Sequence, residues 1–134
     1  GILLNEKKNF KILIAGGYNE TKDSDYLIKH LKSKNIETIS LCDFNIKSTL
    51  PFLASSRLYI GNDTGFMHLS GCLGIKSFGL FGRTSTNYCS YNKNILPITL
   101  PPSQKMHLSK PDAISFINPE YVFEFIISSG LVEK

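Results

Sequence analysis

The strongest constraint on this chain is a repeated unit in which a short apolar run breaks at a turn and an amphipathic segment follows. Phe10-Lys11-Ile12-Leu13-Ile14-Ala15-Gly16-Gly17 is nearly continuously apolar and stops at two glycines, as a strand buried on both faces does. Thr21 to Lys34 then has helical spacing, with Leu27, Ile28 and Leu31 inward and Lys22, Asp25, Lys29 and Lys32 outward. Asp25 and Lys29 fall at a favourable i,i+4 separation. Ile36 to Leu41 alternates as a strand.

The unit recurs. Ile46 to Ser56 is expected as a helix with Leu50 and Leu53 inward, and Pro51 is expected near its first turn, where the missing N–H costs nothing. Arg57 to Ile60 is a third strand, Thr64 to Leu73 a helix, and Ser77 to Phe81 a fourth strand ending at Gly82. From Arg83 to Lys110 the pattern dissolves into Thr, Ser, Asn, Tyr and Pro, with one further strand at Ile95 to Leu100. Asn118 caps a last helix that has Pro119 at its first position, Glu120 in its first turn, and Val122, Phe123, Ile126 and Ile127 on its apolar side. Alternating strands and helices imply an α/β fold, a parallel sheet with helices on both faces and one domain over residues 1–134.

Composition removes several classes of function. The chain has 134 residues, 42% hydrophobic and 19% charged, a globular balance. No run approaches the roughly 18 apolar residues of a membrane-spanning helix. Gly1 to Lys8 places an apolar patch ahead of its charges, the reverse of a secretory signal, and reads as the interior of a longer chain. Cys42, Cys72 and Cys89 are odd in number and far apart, without zinc spacing. They are expected as buried or half-buried free thiols in a reducing compartment, hence the cytoplasm. The net charge of +4 suits an anionic small molecule or membrane face. Without an Arg cluster or aromatic-basic interleaving, nucleic acid is not expected as a partner.

In parallel α/β sheets ligands sit beyond the carboxyl ends of the strands. Gly61-Asn62-Asp63-Thr64-Gly65-Phe66-Met67-His68 occupies such a place. The first amides of a helix lack partners within it and its dipole is positive there, so a phosphate or diphosphate is the natural guest. Gly65 admits phosphate oxygens to the backbone, Asp63 or Thr64 caps the helix, and the Thr64 hydroxyl can donate to the anion. His68 leans back toward the same end. Phe66, Leu69 and Leu73 are expected on the buried side. A capped helix with a satisfied histidine accounts for the same residues equally well. His30 and His107 read as solvated, and Tyr88, Cys89 and Tyr91 either line the cleft or tuck onto the core. G-x-G-x-x-G and Walker-type loops are absent.

Asn62-Asp63-Thr64-Gly65-Phe66-Met67-His68-Leu69, Gly71-Cys72-Leu73-Gly74-Ile75 and Gly79-Leu80-Phe81-Gly82-Arg83-Thr84 closely resemble the C-terminal half of family-9 glycosyltransferases, the lipopolysaccharide heptosyltransferases. That family's pattern runs D-T-G-x-x-H-L-A-x-A-L-G, then F-G-P-T. Ile14 to Glu20 and Leu50 to Ser56 resemble further segments, so that residues 10 to 85 match in order, and Pro119 to Val122 resembles the family's closing helix. The resemblance implies a Rossmann-like domain forming the C-terminal half of a GT-B enzyme, which binds a nucleotide-diphosphate sugar such as ADP-heptose. Carried over by position, Asp63, Thr64, Gly65 and His68 would hold the diphosphate and adjoining sugar, Glu20 would face the nucleoside, and Gly16 and Gly17 would lie beside it.

Arg83 stands where the family has Pro, and Ser70 and Gly71 replace its small Ala residues. The implied function is transfer of a heptose-like sugar to lipopolysaccharide or another cell-surface glycan, by an inverting route without metal or cofactor. A glycolipid acceptor and a separate N-terminal acceptor domain would complete the enzyme, peripheral at the inner face of the bacterial inner membrane. No catalytic base is nominated here, and the chain alone is expected to be inactive. The alternative is a non-catalytic nucleotide or nucleotide-sugar binding module.

Overall fold

The computed structural model of the protein describes residues 10–131, so the reading of Gly1 to Lys8 lies outside the described residues. The strands are β1 (Lys11–Ile14), β2 (Glu37–Ser40), β3 (Leu58–Asn62), β4 (Lys76–Phe81) and β5 (Ile95–Thr99). The helices are α1 (Thr21–Lys32), α2 (Ile46–Ala54), α3 (Gly65–Cys72) and α4 (Pro119–Ser128), with 3-10 turns at Tyr18–Glu20, Thr86–Cys89, Pro102–Ser109 and Ala113–Phe116. Every strand pairing is parallel, as the alternating pattern predicts. The chain divides into two compact units, Gly1–Leu53 and Ala54–Lys134.

In the first unit β1 pairs with β2, Lys11 opposite Glu37 and Ile14 opposite Ser40. Helix α1 connects them. Its buried positions are Ser24 and Leu31, while Leu27 is 42% exposed. The helix is therefore rotated slightly from the face that its apolar spacing predicts. A small Ser lies at the close approach, its Oγ 3.2 Å from Ser40 Oγ on β2. Pro51 lies inside α2, not in its first turn. The acceptor that loses its helical partner is the carbonyl of Lys47, an exposed residue that water can reach.

In the second unit the order is β3-β4-β5, with Ile60 opposite Phe78 and Phe78 opposite Leu96. Strand β4 is central and its alternating residues serve two cores. Phe78 packs with Ile98, Leu100, Ala113, Ile117 and Ile126, where α4 adds Tyr121, Val122 and Phe125. Phe81 packs on the other side with Met67, Cys89 and Ile95. Helices thus cover both faces of this sheet, α3 on one and α4 on the other. The Asn118 cap forms as expected, its Oδ1 accepting from Glu120 N–H at 2.7 Å.

Helix α3 buries Met67, Ser70 and Gly71, whereas Phe66 and Leu69 are half-buried and Leu73 is 40% exposed. This corrects the expected inward face, and glycines on both sides of the contact explain it. A Cβ on Gly79 of β4 would collide with Met67 Sδ, and one on Gly71 would lie 2.7 Å from Ile95 Cγ1. Small residues let this helix sit close to the sheet, and that outweighs the larger apolar side chains.

Gly71→Ala is expected to destabilise the fold by about 1–3 kcal/mol through overpacking. Gly65→Ala, whose Cβ would meet nothing within 4 Å, is expected to be neutral or to stabilise by about 0.5–1 kcal/mol. Urea midpoints of the two variants check the contrast.

Candidate functional site

The turn from β3 to α3 is built by the sheet beneath it. Asp63 N–H donates to Leu80 O at 3.3 Å, extending the β3–β4 ladder one residue past the strand. Gly61 leaves room for the Tyr59 ring, since a Cβ there would lie 2.8 Å from Tyr59 Cζ. The Tyr59 hydroxyl consequently reaches to 3.5 Å from Thr64 Oγ1.

Thr64 takes the cap position with extended backbone, φ −139° and ψ 169°, yet its side chain makes no cap hydrogen bond. Its carbonyl accepts from Met67 and His68 N–H. The helix start therefore has neither a side-chain cap nor an acid in its first turn. The amides of Gly65 and Phe66 lie ahead of the first intrahelical bonds. The backbone at Gly65 faces open space, which suits an approaching anion.

His68 lies one turn into α3, with Nε2 3.3 Å from Asp63 Oδ1. Its Nδ1 is 2.6 Å from the Tyr91 hydroxyl, and the two rings stack at 5.9 Å with 20° between their planes. Asp63 and His68 are partly covered, with side-chain exposures of 19% and 33%. The structure thus brings Asp63, Thr64, Gly65 and His68 together at one helix start. Tyr91, which the sequence left open between cleft and core, is 63% exposed and partners His68. Desolvation around its oxygen, then the Cys72 and Cys89 thiols, raise its pKa. The phenol therefore keeps its proton at neutral pH.

Gly16, Gly17 and Glu20 cluster in the first unit, after β1. Gly17 N–H donates to Glu20 Oε2 at 2.6 Å, so this carboxylate closes its own turn. A Cβ on Gly16 would lie 3.0 Å from that oxygen and 3.2 Å from Cys42 Sγ.

His30 is exposed as expected. His107 is not simply solvated. It stacks on Phe116 at 4.3 Å and 5°, and Lys110 Nζ lies 4.6 Å from the centroid of the same ring. Among the thiols, Cys42 and Cys89 are buried and Cys72 is exposed, since Cys72 ends α3 on its outer side. Burial, then the nearby Asp63 carboxylate, push the Cys89 pKa up. Among the described residues no group of three or more His, Cys, Asp or Glu could hold a metal ion, and no helix is long and apolar enough to cross a membrane.

The sequence profile described as glycosyltransferase family 9 (heptosyltransferase) matches residues 3–115, a span that includes both clusters. This chain belongs to glycosyltransferase family 9. Two relatives named lipooligosaccharide heptosyltransferase 2, from Campylobacter jejuni subsp. jejuni serotypes O:2 and O:6, are each 35% identical to it over 85 residues. That alignment covers 62% of this chain and 27% of each relative. The chain thus matches about a quarter of the length of these relatives. No solved structure matches. The parallel α/β architecture is the one expected for a GT-B family.

Cys72 is expected to be alkylated rapidly by iodoacetamide in the native protein at pH 8, with Cys42 and Cys89 slow. Peptide mapping by mass spectrometry distinguishes the three sites.

Proposed function

We propose that this chain is the donor-binding part of a glycosyltransferase that moves a heptose-like sugar from a nucleotide-diphosphate sugar, ADP-heptose being the leading candidate. The acceptor would be lipooligosaccharide, lipopolysaccharide or another cell-surface glycan, presented by a separate acceptor domain at the inner face of the membrane. The observation that carries this reading is the uncapped start of α3, where the Gly65 and Phe66 amides, the Thr64 hydroxyl and the Asp63–His68 pair converge within the family-matching segment.

The chemistry divides among these groups. In an inverting transfer an acceptor oxygen attacks the anomeric carbon, and the bond to the donor's diphosphate breaks, leaving added negative charge on the phosphates. Helix-start amides and the Thr64 hydroxyl are donors suited to that charge. The Asp63 carboxylate repels phosphate, so its role is to accept from His68 and from a sugar hydroxyl. His68 Nε2–H offers one more donor. The acceptor's proton needs a base within hydrogen-bond reach, and this reading assigns that base to the acceptor domain. The turn at Gly16, Gly17 and Glu20 is proposed to contact the nucleoside through its backbone and the second Glu20 oxygen.

ADP or an ADP-sugar is expected to raise the melting temperature, since a ligand at 100 times its Kd adds about 2.7 kcal/mol. Asp63→Ala and His68→Ala are expected to abolish that shift while keeping the native circular dichroism spectrum. No shift with millimolar nucleotide would sink the reading. Binding without sugar transfer after an acceptor domain is supplied would favour the module alternative.

A further inference from the structure

His68 is held from two sides, and the two contacts differ in kind. On one side the Asp63 carboxylate accepts hydrogen bonds, which favours a hydrogen on His68 Nε2. In a neutral imidazole Nδ1 then has a bare lone pair, and the Tyr91 hydroxyl 2.6 Å away is the donor it requires. The Asp63 contact at 3.3 Å is loose for an N–H donor, whereas the Tyr91 contact is short even for a hydroxyl. Tyr91 also lies parallel to the imidazole, restricting rotation of the ring.

The loop that delivers Tyr91 is tied to the same helix a turn further on. Asn94 Nδ2 donates to Gly71 O at 3.1 Å, so 68 meets 91 and 71 meets 94 at the same offset. The loop therefore runs alongside α3. The 3-10 turn at its start is pinned as well. Ser85 Oγ accepts from Asn87 N–H, and Cys89 Sγ donates to Thr86 O at 3.0 Å.

We infer that Tyr91 is a positioning residue for the anion site: its hydroxyl fixes His68 in the Nε2–H tautomer, so that the hydrogen bond from Nε2 to Asp63 is the one a diphosphate oxygen can take over. This rests on the donor reading above for the identity of the anion, but the tautomer itself does not depend on it. Of the two ring nitrogens, Nε2 has the weaker hold, so an incoming phosphate competes with the long Asp63 contact. Tyr91 stays in place and keeps the ring from turning its bare nitrogen toward the anion, where lone pair would face oxygen. Tyr91 itself never needs to touch the ligand.

The test compares wild type, Tyr91→Phe and Tyr91→Ala at pH 8, above the ordinary imidazole range. Ring-nitrogen NMR shifts of His68 are read without ligand, and ADP affinity by calorimetry. Wild type is expected to show a single Nε2–H tautomer. Tyr91→Phe, which keeps the stack and loses only the hydroxyl, is expected to show a mixture of tautomers and about fivefold weaker ADP binding. Tyr91→Ala should weaken ADP at least as much. An unchanged tautomer in Tyr91→Phe, or a mixture with unchanged ADP affinity, overturns the proposal. If wild type fixes the tautomer and Tyr91→Phe loses it while neither binds ADP, the donor reading fails and the orientation of His68 by Tyr91 stands.

Discussion

The seating of α3 on β4 is the contact on which the rest of the site depends. An eight-residue helix has no stability of its own in water, and this one has neither a side-chain cap nor an acidic first turn. What holds it is burial of Met67, Ser70 and Gly71 against a strand whose Gly79 yields space to the Met67 sulfur. That contact also sets the helix's rotation. With Met67 turned fully inward, His68 falls about 100° around the axis, on the flank facing Asp63 and Tyr91. A helix seated on Phe66, Leu69 and Leu73 would carry the imidazole elsewhere.

Stabilising the helix by packing has a chemical consequence. A side-chain cap would satisfy the first amides and occupy the Thr64 hydroxyl. Here the hydroxyl is spared, and its near neighbour is the phenol of Tyr59. Local rules of helix design are broken at this end and kept at α4, where Asn118 caps and Pro119 begins the helix. A departure of this kind, in a chain that otherwise follows the rules, is where function is expected. Asp63 fits the same logic. Under the proposed donor reading it would be repulsive by itself beside an anion, and its contact with His68 would let it aim an N–H.

The sequence displayed the element order clearly because apolar runs and glycine stops have few readings in a parallel sheet. Helices α1 and α3 sit turned about their axes from the face that apolar size predicts, for a single reason. Apolar periodicity weighs Leu27, Phe66 and Leu73 by size, whereas close packing against a sheet selects small residues at the contact, Ser24 and Gly71. Pro51 was misplaced because its cost falls on one carbonyl, and an exposed carbonyl has water as a substitute. The stretch from Arg83 to Lys110 was opaque because 3-10 turns need no hydrophobic period. They are held by local bonds such as Ser85 to Asn87.

Within the site, legibility followed distance along the chain. Asp63, Thr64, Gly65 and His68 lie within six residues and share one turn, so their convergence could be derived from helix geometry alone. Tyr91 is 23 residues from its partner, in the segment without period, and its nearness to His68 follows from how the β4–β5 connection runs back along α3. The first-unit cluster shows the converse. Gly16, Gly17 and Glu20 are close in sequence and were read together, yet nearness gave Glu20 a local partner first. One of its oxygens is bound to the Gly17 amide, the amide that a ligand would otherwise seek. A ligand at that turn meets a carboxylate already half engaged, so recognition there falls to the second oxygen and to whatever backbone the turn leaves exposed. The α3 turn differs, since its first amides have no side-chain cap, its hydroxyl has only the 3.5 Å contact with the Tyr59 phenol, and its one acid contacts His68.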